Sequence, residues 1–278
     1  FITLVLGGLV LYPLFIFGYG FVGGAHEMAL KVNGLHEVTI VDPKFEAWDV
    51  GNPEAIIIAV STPQGKYGMC DMTNVYAALD ECPPNVPILI KSTISLEGWD
   101  HICEHYPEHE VTFSPEFLRA DHALEDFNNR EKMFFGGGDD LFWATLFWKQ
   151  GCEMFRRDPE ELIMMKYTIN SFLATKVAFL NQIYDMCQRA GINYDTVKDL
   201  IATDERIGQS HLEVTQERGF GGHCFPKDTN ALVHSGVKQG VDLSVLKSAI
   251  DYNDGLKNVK HISYALEGIM KRFERDKN

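Results

Sequence analysis

The sequence predicts an α/β protein in two parts: a parallel-sheet domain in which strands alternate with helices, then an all-α domain organised on one long central helix. Two observations carry the prediction. From Leu14 to about Gly138, short apolar runs alternate with stretches of helical periodicity, whereas after Asp158 the periodicity stays helical and strands stop. The length agrees: 278 residues, 45% of them hydrophobic, suit one large or two moderate domains with real cores.

In chain order, residues 1–12 belong to an uncharged run that lasts until Glu27 and are set apart as a leader. Gly7, Gly8, Pro13, Gly18, Gly20, Gly23 and Gly24 argue against a spanning helix in this run, and a signal peptide would carry a basic start that is missing here. Leu14 to Phe17, Val38 to Val41, Ala55 to Val60, Pro87 to Ile90 and Val111 to Phe113 read as buried strands, each ended by Gly, Pro, Asp or Ser. Helices are expected over Gly24 to Asn33, Thr73 to Glu81 and Leu96 to His105. Asp158, Pro159 and Glu161 supply a cap, a first-turn proline and an acid for a helix of about thirty residues that Gly191 closes. Shorter helices follow over Asp195 to Thr203 and Pro226 to His234, and a last one runs from Asp242 towards Lys271. The sheet domain is therefore placed at residues 13–157 and the helical domain at 158–278.

A net charge of −14 disfavours a nucleic acid or an anionic membrane as the partner, because neutralising phosphates takes clustered Lys and Arg; no nucleic acid is expected. The six cysteines are widely spaced without a paired framework, which points to a reducing, cytoplasmic location. His101, His105 and His109 recur near Cys103 at helical spacing, but Pro107 interrupts the helix, and no metal site is assigned.

Gly18-Tyr19-Gly20-Phe21-Val22-Gly23 follows a strand and opens a helix, the setting in which glycines let the backbone approach a pyrophosphate at a helix N-terminus. Asp42 ends the next strand, where an acid accepts hydrogen bonds from an adenosine ribose and repels a 2′-phosphate. The sheet domain is thus Rossmann-type, and its cofactor is NAD rather than NADP. Only twelve residues separate Asp42 from the strand at Ala55, too few for a further helix and strand on that side. In Gly221-Gly222-His223-Cys224-Phe225-Pro226-Lys227-Asp228, a thiol stands just before a helix start, where the dipole and free N–H groups favour thiolate. Lys166 and Asn170, four apart on the long helix, offer an ammonium and an amide on one face, a pair able to stabilise an oxyanion.

The chain resembles the UDP-glucose/GDP-mannose dehydrogenase family, most of all its UDP-glucose 6-dehydrogenase members. The resemblance rests on GYGFVG (18–23), AVSTP (59–63), KST (91–93), FSPEFLR (113–119), KYTINSFLATKVAFLNQIYD (166–185), DERIG (204–208) and GFGGHCFPKDT (219–229), in family order. It implies oxidation of a nucleotide-sugar C6 alcohol to a carboxylate in two NAD-dependent steps, UDP-glucose to UDP-glucuronate. It also implies that Cys224 is the nucleophile, that Lys166, Asn170 and Asp228 surround the reacting carbon, that Glu116 serves proton transfer and thioester hydrolysis, and that Thr93 holds water. Thr62 and Thr93 match the nicotinamide side of the cofactor site, which with Gly18, Gly20, Phe21, Val22, Gly23 and Asp42 completes the NAD set. Phe117, Leu118, Arg119 and Gly221, with Lys166 and Asn170, match segments that enclose the sugar. Relatives pair through the helical domain, so a homodimer is the expected assembly.

Where the family has Glu after PEFLR, this chain has Ala120 and then Asp121, so a second carboxylate is missing or shifted by one position. Full-length relatives continue past the segment at Ala249 to Asn253 into a third α/β domain that grips the nucleotide, a domain this chain is expected to lack. Two other readings stand beside the first: a single-step dehydrogenase of the β-hydroxyacid type, and a non-catalytic NAD or nucleotide-sugar binding module.

Overall fold

The five apolar runs of the first half form one parallel sheet in the computed structural model, which describes residues 12–32, 36–45 and 52–258. Its strands are β1 (Tyr12–Phe17), β2 (His36–Val41), β3 (Ala55–Ile58), β4 (Ile88–Ile90) and β5 (Val111–Phe113), in the order β2-β1-β3-β4-β5. Leu14, Ile16, Ile56, Ile57, Ile58, Ile88, Leu89 and Ile90 are fully buried, as continuous apolar runs must be in a parallel sheet covered on both faces. Crossovers are made by α1 (Phe21–Val32), α2 (Thr73–Asp80) and α3 (Leu96–His105). The connection from β2 to β3 contains no helix among the described residues, and β2 is an edge strand, in keeping with the short spacer after Asp42. Because β2 and β3 flank β1 on opposite sides, the chain reverses direction at β1, and the loops at the C-terminal ends of the strands part there to leave a crevice.

Residues 123–156 hold structure that the apolar pattern did not announce. Here α4 (Ala123–Asn128), β6 (Lys132–Phe135), α5 (Asp140–Leu146) and β7 (Glu153–Arg156) follow β5, and β6 and β7 pair in parallel as a separate small sheet. Each strand has four residues with a charge at one or both ends, too short to show an alternation of its own. Phe113 and Gly136 exchange backbone hydrogen bonds of 2.8 and 3.0 Å that tie this piece to β5. Phe127, Phe135, Trp143 and Phe147 join Leu14, Ile16, Leu30, Ile57 and Leu89 in one core. The strand expected to reach Val60 stops at Ile58, where the chain turns into the AVSTP loop.

The long helix α6 (Pro159–Ala190) has 32 residues, and Gly191 ends it at φ +68°, a conformation natural to glycine. Then α7 (Tyr194–Ile201) starts one residue earlier than the spacing suggests, because Asn193 caps it by accepting from the Asp195 and Thr196 N–H groups. The next helix, α8 (Phe225–Lys238), runs four residues past His234, with Ser235 and Gly236 buried and Leu243 packed against Gly236. A ninth helix, α9, covers 244–258; its expected course towards Lys271 lies outside the described residues, as do residues 1–11. The chain divides into two compact units within α6: the first runs through Gly65 and resumes from Cys70 to Lys166, and the second takes Lys66–Met69 and the chain from Tyr167 onward. Among the described residues no helix is long and apolar enough to cross a membrane.

Candidate functional site

In the first unit, every residue singled out from the sheet domain stands at the C-terminal edge of the sheet. The glycine loop follows β1, Asp42 follows β2, Thr62 follows β3, Thr93 follows β4 and Glu116 follows β5. The loop is tightly built. Gly18 has φ +92° and a Cβ there would lie 2.7 Å from the Ala59 carbonyl oxygen, while a Cβ on Gly23 would lie 2.0 Å from the Gly18 carbonyl oxygen. Gly20 has open space where its side chain would be, so a phosphate can come close to the backbone opening α1. Phe21 and Val22 form the first turn of that helix and contribute N–H groups without intrahelical partners. Asp42 accepts from the Tyr19 N–H at 2.7 Å and the Lys44 N–H at 3.0 Å, so it braces the glycine loop, and a carboxylate retains further acceptor capacity for a ribose hydroxyl. These residues fit a dinucleotide. Thr62 is buried, and the Thr93 carbonyl accepts from the Cys70 thiol at 3.5 Å.

Glu116, half-buried, is the centre of a charged group whose other members, Lys91 and His26, are buried. Its Oε2 lies 3.1 Å from Lys91 Nζ and 3.7 Å from His26 Nε2, and its Oε1 accepts from the Phe117 N–H at 3.0 Å. Burial pushes the carboxyl up, but foremost the Lys91 ammonium, and with it the Phe117 N–H, outweighs it and holds Glu116 below the usual carboxylate range. Burial likewise lowers the Lys91 ammonium against the pull of Glu116, and Lys91 donates to Ser114 Oγ at 2.9 Å. Lys166 Nζ donates to the Glu116 carbonyl and sits 5.4 Å from the centre of the Phe117 ring. A cavity of about 210 Å³ opens beside this group, lined by Lys91, Glu116, Phe117, Leu118, Arg130 and Phe134 among others. Arg119 points its guanidinium at Asp126, with bonds of 3.0 and 2.6 Å, and is exposed together with Ala120 and Asp121.

The second unit holds the other half of the predicted residues. Cys224 is the residue immediately before α8, partly exposed, with Pro226 in the first turn, and the Asp228 N–H donates to its carbonyl at 2.9 Å. Asp228 is fully buried; it accepts from Asn170 Nδ2 at 2.5 Å and from Lys227 Nζ at 2.5 Å. A thiol at the mouth of a helix, with a carboxylate and an amide locked together one turn below it, is an arrangement suited to a carbonyl adduct. Gly222 takes φ +77°, and Gly221 has no atom nearer to its would-be Cβ than Lys257 Nζ at 3.9 Å, so the loop leaves room for a ligand.

Lys91 and His26 escaped selection in the sequence. Lys91 was visible as the lysine of KST at the end of an apolar strand, a charge with nowhere to go but inward. The signal for His26 was weaker: it shares the apolar face of α1 with Ala25, Ala29 and Leu30, all buried.

The comparisons with known proteins agree with this layout. Residues 45–146 match the family model described as UDP-glucose/GDP-mannose dehydrogenase family, NAD binding domain, and residues 160–255 match the same family's central domain. A UDP-glucose 6-dehydrogenase of Rickettsia felis is 32% identical over 262 residues, which cover 88% of this chain and 57% of the relative. The solved structure of a UDP-glucose dehydrogenase from Pyrobaculum islandicum superposes with a TM-score of 0.80 at 26% identity, over 98% of this chain and 73% of the other. A 3-hydroxyisobutyrate dehydrogenase of Mycobacterium tuberculosis shares the fold alone, with a TM-score of 0.69 at 15% identity over 87% of this chain and 93% of that one. The chain spans about half the length of the curated relatives it matches. With both domain models matched in order, and the glycine loop and the cysteine-bearing helix start in their expected places, the chain belongs to the UDP-glucose/GDP-mannose dehydrogenase family.

Proposed function

We propose that this chain carries out NAD-dependent oxidation of the C6 alcohol of a nucleotide sugar to a carboxylate, with UDP-glucose as substrate and UDP-glucuronate as product. The observation that carries the reading is Cys224 at the start of α8 above the buried Asn170–Asp228 pair. When bound, NAD supplies the hydride acceptor for both oxidations; Gly18, Gly20, Phe21, Val22, Gly23 and Asp42 would hold its adenosine diphosphate half, with Thr62 and Thr93 towards the nicotinamide.

Lys166, or a water on Asp228, takes the hydroxyl proton as the alcohol carbon is oxidised, and the Lys166 ammonium and Asn170 amide offset the charge on oxygen. Cys224 sulfur then bonds to the aldehyde carbon, giving a thiohemiacetal whose oxidation leaves a thioester. Water positioned by Thr93 attacks the thioester carbon, Glu116 takes the water's proton, and the carbon–sulfur bond breaks to return the thiol and free the acid. Phe117, Leu118, Arg119 and Gly221 would enclose the sugar.

A homodimer is part of the proposal. Phe172, Phe179 and Met186 recur every seven residues along α6 and are all strongly exposed, an apolar stripe of the kind a second helix covers. All six cysteines are unpaired, which suits a reducing cytoplasmic location.

Incubation with NAD and UDP-glucose should yield two NADH per sugar, and Cys224→Ala should abolish turnover. One NADH per substrate with indifference to Cys224→Ala would replace this reading with a single-step β-hydroxyacid-type dehydrogenase. NAD binding without reduction on any UDP- or GDP-hexose would leave a binding module instead.

A further inference from the structure

The first unit seals an imidazole that the mechanism above does not use. His26, on α1, is fully buried, and its Nδ1 lies 2.9 Å from the Val22 carbonyl oxygen. A carbonyl only accepts, so the proton of the neutral ring is on Nδ1, and Nε2 presents a bare lone pair. That Nε2 has no hydrogen-bond partner and stands 3.7 Å from Glu116 Oε2. The distance is what two acceptors keep between them: a carboxylate oxygen and an unprotonated ring nitrogen share no hydrogen until one arrives.

The surroundings leave His26 little else to do. Phe127 and Phe147 pack edge-on to its ring at 4.7 and 5.7 Å between centres, and Arg130, itself stacked on Phe127, donates to the Phe127 and Phe147 carbonyls. The charged groups facing it are Lys91 from the end of β4, Glu116 from the loop after β5, and Arg130 from the segment after α4. Burial and the two cations oppose a charge on the imidazole, so a neutral acceptor is the stable state.

We propose that His26 is a positioning residue for Glu116: its Nε2 accepts the hydrogen bond of the protonated carboxyl whenever Glu116 holds a proton. Only about one ångström of approach is needed to make an O–H···N bond. Oε2 can then donate to His26 and accept from Lys91 together, so the protonated and ionised states of Glu116 each have a partner in place. For the proposed reaction, on whose reading this role rests, the proton moves from the attacking water to Glu116 and stays there, hydrogen-bonded to His26, until it is returned.

The test is direct. The protonation of Glu116 is followed by carbon-13 carboxyl NMR, with Glu116→Gln used for assignment, in the wild type, in His26→Leu, which removes the acceptor at similar volume, and in His26→Gln, which keeps an amide acceptor. Followed in the range where His26 itself is neutral, above about pH 4, the affinity of Glu116 for a proton should fall about three- to tenfold in His26→Leu, the worth of one neutral hydrogen bond, and His26→Gln should recover part of it. Unchanged affinity in His26→Leu, or an increase, overturns the proposal. If His26→Leu does not fold, nitrogen-15 imidazole spectra of Glu116→Gln decide: the carboxamide N–H should hydrogen-bond to Nε2 and shift its resonance from the wild-type position at neutral pH, and an unmoved resonance refutes the contact. Turnover is a separate arm. In His26→Leu the second half of the reaction, release of acid from the thioester, should slow about three- to tenfold while the first NADH forms at the wild-type rate. If the wild type turns over no nucleotide sugar, the functional reading fails, while the NMR arm still judges the pair.

Discussion

Acid should unfold this protein partly through His26. Burial first, with Lys91 and Arg130 adding to it, lowers this histidine from 6.5 to about 4, although Glu116 and the Val22 carbonyl pull the other way. An unfolded chain takes up the proton near 6.5 and the folded one only near 4, so the stability contribution of His26 is full above about 6.5 and is lost progressively as pH falls towards 4. At about 1.4 kcal/mol per pH unit, the whole window is worth about 3 kcal/mol, and between pH 7.5 and 5 about 2 kcal/mol should disappear. That is a large share of a typical domain's margin. Urea unfolding at a series of pH values, read from the buried Trp99 and Trp143 of the same unit, measures it. His26→Leu should lose about 2 kcal/mol less than the wild type over that range, leaving the contribution of Glu116, whose depressed carboxyl is protonated at lower pH. Parallel losses in the two proteins would refute the reasoning, because they would mean that unfolding takes up no proton at this position.

Other outcomes follow from single contacts. Lys91→Met removes the ammonium that holds Glu116 ionised, so the carboxyl should titrate at higher pH, visible by carboxyl NMR. Gly23→Ala would place a Cβ 2.0 Å from the Gly18 carbonyl oxygen, so the glycine loop must open; a loss of about 1–3 kcal/mol in urea and weaker NAD binding by calorimetry are expected. Asn253→Ala leaves the buried Phe220 N–H, now bonded to Asn253 Oδ1 at 2.7 Å, without its acceptor, and should cost about 1–3 kcal/mol in thermal unfolding. Phe172→Glu with Phe179→Glu puts charge on the exposed stripe of α6; under the proposed pairing, sedimentation should report a dimer for the wild type and a monomer for this variant.

Patterns that depend only on neighbours along the chain were legible. The apolar runs at 55–58 and 88–90 could be nothing but buried strands, and the GYGFVG turn had to fall between a strand and a helix because Gly18 and Gly23 alone allow that packing. Cys224 was placed at a helix start by Pro226 two residues on. The small pair of β6 and β7 was not legible, since four-residue strands carry no period and are stabilised by Phe113 and Gly136, twenty-three positions apart. The extra turn of α8 likewise goes with Leu243 packing on Gly236, a contact outside the helix.

The site divides in the same way. Local chemistry alone determined that this chain carries a dinucleotide loop, a helix-start thiol, and an ammonium and an amide one helical turn apart, because each is a short spacing with a fixed geometric meaning. Tertiary structure decided which charges face each other. That Glu116 meets Lys91 and His26, and that Asn170 meets Asp228, depends on residues 25, 90 and 58 positions apart being brought into contact by the sheet order and by the packing of α8 on α6. In a buried setting such pairings set which group is charged, and no property of one segment contains that information.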